Sequence, residues 1–132
     1  MAQPDAFDLM VYRWRRRLLL IFSPSATEPA YQRQMSLLGG EQSALAQREL
    51  LLVHLIAKEP SRLEVQRLPP GTAEDLRAQF AVEDTTFAVV LIGLDGTAKR
   101  RSAEPMPPAD IFAAIDAIPM RQHTLWQRHE RH

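Results

Sequence analysis

Three short apolar runs, at residues 18–22, 50–57 and 87–92, do most to restrict what this chain can fold into. Each is of strand length, and of the polar side chains only His54 falls inside one of them. A run that is apolar at every position, rather than at every second one, fits a strand covered on both faces. The stretches between the runs have the length and spacing of helices. Strands alternating with helices point to an α/β fold with a buried sheet.

The first intervening stretch carries Tyr31, Met35 and Leu38 on one helical face. Thr27 or Glu28 can cap it, Pro29 suits a first turn, and Gly39-Gly40 ends it. A second short helix is expected over residues 41–47, with Leu45 inward. Two buried strands joined by helix make a βαβ unit, whose crossover is almost always right-handed and its strands parallel. Residues 58–71 are polar, contain Pro60, Pro69 and Pro70, and read as loop. Thr72 to Asp75 fits a capping pattern, with Leu76 and Phe80 on one face of a short helix. Asp95-Gly96 marks a tight turn, with residues 98–102 returning as a hairpin partner of the third run. Pro107 and Pro108 start a last helix with Ile111, Phe112, Ile115 and Ile118 inward, and Pro119 ends it. Before the first run, Phe7, Met10, Val11 and Trp14 have helical spacing. The order β-α-β-α-β-β-α predicts a thioredoxin-like domain with a central, mixed, four-stranded sheet and helices on both faces. The domain is expected over residues 13–121, between an extension at 1–12 and a polar tail at 122–132.

Composition narrows the chemistry. Hydrophobic residues make up 45% and charged ones 24%, which argues against disorder. Sixteen basic residues balance sixteen acidic ones, so overall charge gives no reason to expect nucleic acid or membrane binding. There is no cysteine, which removes thiolate nucleophiles, disulfides and Cys-ligated zinc. Thiol oxidoreductase and peroxidase activities are thereby excluded, and no cofactor is expected. The run at 18–22 is too short to span a membrane or serve as a signal sequence. The default expectation is a cytoplasmic protein.

Three segments resemble one family. They are Tyr12-Arg13-Trp14-Arg15-Arg16-Arg17 leading into the first run, Val90-Leu91-Ile92-Gly93-Leu94-Asp95-Gly96 followed by Lys99, and Ile115-Asp116-Ala117-Ile118-Pro119-Met120-Arg121. The chain resembles the thioredoxin-like domains of unknown function called P-DUDES. These occur in secreted sushi-repeat proteins of animals and as short stand-alone bacterial proteins. Leu94 stands where the family usually has a basic residue, and Ile118 where it has Met. The resemblance implies a fold rather than a reaction. It also implies an exported location as the alternative to a cytoplasmic one.

Thioredoxin-like oxidoreductases place a cysteine after the first strand, where a helix N-terminus lowers the thiol pKa. Here that region is Ser-Pro-Ser-Ala-Thr-Glu-Pro-Ala-Tyr at 23–31, with hydroxyls, one carboxylate and no nearby His in sequence. A serine needs a base to act as a nucleophile. Relatives of the fold also carry a cis-proline before the third strand, and residues 84–87 hold no proline. Ser25, Thr27 and Tyr31 could line a surviving cleft for an anion or a substrate; the plainer reading is that the hydroxyls cap the helix. The second candidate is a basic patch of Arg13, Arg15, Arg16 and Arg17 with Lys99, Arg100 and Arg101, open to an acidic protein or polyanion. It requires the third run to lie antiparallel to the first. Its plainer reading is a solvated, salt-bridged face. His54 is expected to be packed rather than catalytic. His129 and His132, with His123 and Glu130 nearby, could hold a metal weakly from the tail. The reading favoured is a non-catalytic binding or interaction module. The alternative is an enzyme or anion-binding protein using the cleft.

Overall fold

Each apolar run becomes a strand at the centre of one sheet. The computed structural model describes residues 7–117. Along the chain a 3₁₀ turn (Leu9–Tyr12) leads to β1 (Arg17–Ser23), α1 (Pro29–Leu38), α2 (Gln42–Gln47) and β2 (Leu50–Ile56). Two-residue strands β3 (Arg62–Leu63) and β4 (Gln66–Arg67) follow, then α3 (Thr72–Phe80), β5 (Ala88–Ile92), β6 (Ala98–Ser102) and α4 (Pro108–Ala117). The sheet order is β4-β3-β2-β1-β5-β6. β1 lies at its centre, parallel to β2 and antiparallel to β5, and is buried along its whole length.

The sheet has six strands rather than the four expected. The extra pair forms within residues 58–71, which read as loop. Leu63 pairs with Val53 and Arg62 with His54, and the hairpin turns through Glu64 with φ +55°. Two-residue strands leave no periodic signal. Their pairing is set by the edge of β2 rather than by their own composition.

Side chains alternate between two cores. Leu18, Leu20, Phe22, Val53, Leu55, Val90 and Ile92 pack with Leu9 and with Ala73 and Leu76 of α3. Leu19, Ile21, Ile56, Val89 and Leu91 pack with Tyr31 and Leu38 of α1, Leu45 of α2 and Ile111 and Ile115 of α4. Helices therefore cover both faces, one on the first and three on the second.

Several local expectations change. The stripe before β1 is not a core face: Leu9 is buried, while Met10, Val11 and Trp14 are exposed. A 3₁₀ turn has three residues per turn, so helical spacing no longer aligns those positions. Glu28 is the N-cap of α1 but makes no side-chain cap bond. Thr72 opens α3 and donates its hydroxyl to the Pro69 carbonyl at 2.6 Å, so it is not a cap. Gln34 of α1 is fully buried: its Nε2 donates to the Met106 carbonyl at 2.9 Å, and its Oε1 accepts from the Met106 amide at 2.7 Å. This pair pins α1 to the segment that enters α4. No helix among the described residues is long and apolar enough to cross a membrane.

Candidate functional site

The corner where β1 meets α1 is closed by its own hydrogen bonds. Ser23 is buried and its hydroxyl donates to the Ser25 carbonyl at 2.7 Å. The hydroxyls of Ser25 and Thr27 bond each other at 3.2 Å. Tyr31 does not join them: it turns into the core, and its hydroxyl lies 2.9 Å from Nδ1 of His54 on β2. The structure thus brings Ser25 and Thr27 together and separates Tyr31 from the open surface. Beneath the corner, buried Arg77 of α3 donates from Nη2 to the Ser23 carbonyl at 2.9 Å and from Nη1 to the Glu83 carbonyl at 2.5 Å. Its guanidinium serves the backbone rather than a ligand. Burial lowers the Arg77 pKa against the opposing pull of Asp84 and Glu74.

Tyr31 and His54 form a hydrogen-bonded pair. The Tyr31 hydroxyl engages Nδ1 of His54, so Nε2 is the ring nitrogen left for another partner, and it carries the ring proton in the tautomer in which the hydroxyl donates. Burial, with a smaller contribution from the Arg62 charge, pushes the His54 pKa down to about 4. His54 is therefore uncharged at neutral pH.

The basic residues meet at the other end of the sheet. Leu18 pairs with Ile92, and Ile92 with Ala98, so the start of β1, the end of β5 and the start of β6 lie in one row. Trp14, in the left-handed region at φ +67°, donates its amide to the Leu94 carbonyl at 2.6 Å. Met10 lies over Gly96, whose φ of +84° suits a residue without a Cβ. These contacts bolt the arginine segment to the hairpin turn.

The seven basic residues then divide. Arg13, Arg15, Arg16 and Arg100 are exposed. Arg17 is 7% exposed and donates to the Arg48 carbonyl at 2.7 Å. Lys99 pairs with Asp95 at 2.7 Å. Burial alone would raise the Asp95 pKa, but hydrogen bonds from Lys99 and Thr97 outweigh it and hold the carboxyl at about 2. Arg101 binds the Phe80 carbonyl and the Ala81 carbonyl, closing the C-terminus of α3. His123, His129 and His132 lie outside the described residues. Among the described residues, no cluster of His, Asp and Glu is arranged to hold a metal ion.

A third feature had no counterpart in the sequence reading. A cleft of about 500 Å³ runs between α1, α2, the edge of β2 and the β3–β4 hairpin. Leu50, Leu52 and His54 form its floor, with Arg62 and Glu64 beyond them. It exists because β3 covers only two residues of β2. Only a correct reading of the hairpin could have located it.

Among the comparisons with known proteins, a solved structure bears on the fold. The peroxiredoxin in "Crystal Structure of Plasmodium vivax 2-Cys Peroxiredoxin, Reduced" superposes with a TM-score of 0.65 at 18% identity, covering 89% of this chain and 85% of that one. At that identity the likeness concerns the thioredoxin fold alone. Sushi repeat-containing protein SRPX2 of Xenopus laevis is 33% identical over 116 residues, which cover 86% of this chain and 25% of the relative. Human SRPX2 is 30% identical over 120 residues, 89% of this chain and 26% of the relative. SRPX of Rattus norvegicus is 29% identical over 114 residues, 84% of this chain and 25% of the relative. The chain thus spans about a quarter of the length of the curated relatives it matches. A family model described as a domain of unknown function, DUF4174, matches residues 8–124. The chain belongs to this family, as a cysteine-free, thioredoxin-like member.

Proposed function

We propose that this domain is a non-catalytic interaction module that docks an acidic protein segment on the end face carrying Arg13, Arg15, Arg16 and Arg100. The observation that carries the reading is the division of labour between the two ends of the sheet. At the β1–α1 corner the hydroxyls and the guanidinium have internal partners: Ser25 bonds Thr27, Tyr31 bonds His54, and Arg77 bonds the backbone. Glu28, Glu59, Glu83 and Asp84 lie in connections at that end of β1, β2 and β5, with Lys58 beside them. At the opposite end Arg13, Arg15 and Arg16 are exposed on a segment bonded to the hairpin turn, with Arg100 exposed on β6. Placing fixed cations on one face attracts and orients an acidic partner. The presence of a matching region within much longer sushi repeat-containing proteins fits a module that works joined to others.

The test is fluorescence anisotropy of a labelled peptide rich in Glu and Asp. Binding should weaken as salt is raised from about 50 to about 200 mM, as expected for exposed charges. The Arg13→Ala/Arg15→Ala/Arg16→Ala variant should bind at least about tenfold more weakly while unfolding like the parent, since exposed charges add little to stability. Equal affinity of parent and variant would overturn the reading.

A further inference from the structure

The cleft beside β2 has a polar end and an apolar body. Met35 and Leu38 of α1 and Leu45 of α2 wall it, over a floor of Leu50 and Leu52. At one end His54 and Arg62 pair across the strands and so point to the same face. Three observations define what could fill it. Arg62 is half-buried, and no carboxylate lies within ion-pair distance of it among the described residues. His54 has Nδ1 engaged by Tyr31, which leaves Nε2 for an occupant, as an N–H donor in the tautomer in which the Tyr31 hydroxyl donates to Nδ1. Glu64 also lines the cleft, but it stands beside Leu52, about 7 Å along the strand from the Arg62–His54 pair. Its Oε2 accepts from the Leu52 amide at 2.6 Å and its own amide donates to the Leu52 carbonyl at 2.7 Å. Glu64 is thus fixed in place, and an anion is confined to the arginine end.

We propose that the cleft binds a small organic carboxylate with an apolar body, its headgroup between Arg62 and His54 Nε2–H and its chain over Leu50 and Leu52. The volume fits: ligand sites commonly enclose about 300–1,000 Å³. The chemistry fits as well. A guanidinium with a second donor matches a carboxylate, and Met35, Leu38, Leu45, Leu50 and Leu52 offer hydrocarbon to the body. The site is independent of the basic end face and lies on the covered side of the sheet, at the edge the helices leave open.

The probe is octanoate, with 1-octanol as the uncharged match, read by isothermal titration calorimetry and by thermal stabilisation of the whole chain. Octanoate is expected to bind saturably and raise the unfolding temperature, and octanol to bind at least about tenfold more weakly. Arg62→Gln should lower octanoate affinity by a similar factor without changing the unfolding temperature of the free protein. Leu52→Asp, which puts a charge on the floor, should abolish binding of both; should it fail to fold, the Arg62→Gln result decides. No saturable binding of octanoate, or equal affinity in the parent and Arg62→Gln, would overturn the proposal.

Discussion

Tyr31 and His54 show how a residue that reads as a site can become part of the core. The hydroxyl of Tyr31 follows a helix start, where a ligand-facing role is chemically reasonable. Its position on the inner face of α1 decides otherwise, because His54 on β2 offers it a hydrogen-bond partner inside the core. The pair has a pH signature. The folded pKa of His54 is about 4 against an ordinary 6.5. Between those values the unfolded chain takes up a proton that the folded chain refuses. Stability therefore falls as pH drops from 6.5 and has lost its full increment near pH 4, about 3 kcal/mol in all. Urea titrations from pH 7 to pH 4 on the parent and on Tyr31→Phe/His54→Leu isolate this from the carboxylates, which both proteins share. The double variant should lack the increment, and parallel curves would show that His54 does not titrate as described. Removing both partners of a buried hydrogen bond is also mild in itself, since neither group is left orphaned.

Among the elements, legibility followed burial. The runs that became β1, β2 and β5 could be read directly, because a strand covered on both faces must be apolar throughout. α4 could be read from Pro108 and the spacing of Ile111 and Ile115, both buried. The β3–β4 hairpin could not be read. It is held in place by its partner strand and by the reach of Glu64 to the Leu52 amide. With the hairpin unread, the cleft it borders and the role of Arg62 were out of reach as well. Gln34 was passed over for a different reason: nothing local shows that a polar residue on an amphipathic helix will meet a backbone in the loop before another helix. Its two bonds to Met106 make a testable joint between α1 and α4. Gln34→Leu leaves both polar groups of the Met106 backbone buried without a partner and should destabilise the domain by about 2–4 kcal/mol in urea unfolding. A loss under about 1 kcal/mol would mean the groups find other partners.

For the molecule as a whole, a formal net charge of zero hides a local grouping. The exposed arginines gather at one end of the sheet, with Glu49 and Asp95 near them, and Glu28, Glu59, Glu83 and Asp84 lie at the other end with Lys58, a consequence of parallel β1–β2 and antiparallel β1–β5 pairing. Sequence order alone located the basic end once that antiparallel pairing was assumed. It could not show that Arg17 would be buried, Lys99 neutralised by Asp95 and Arg101 spent on the end of α3. What remains exposed without an ion pair or a capping bond to α3 is a smaller surface than the seven residues suggested. The most direct test is to titrate the ¹⁵N-labelled domain with the acidic peptide and map the amide shifts onto the fold. Docking at the basic end predicts shifts at Arg13, Arg15, Arg16 and Arg100, fading as salt is raised, with the β1–α1 corner unmoved. Shifts centred on Ser25, Thr27 and their neighbours, with the arginine segment unchanged, would contradict the assignment and return the binding surface to the corner where thioredoxin-like enzymes keep their cysteine.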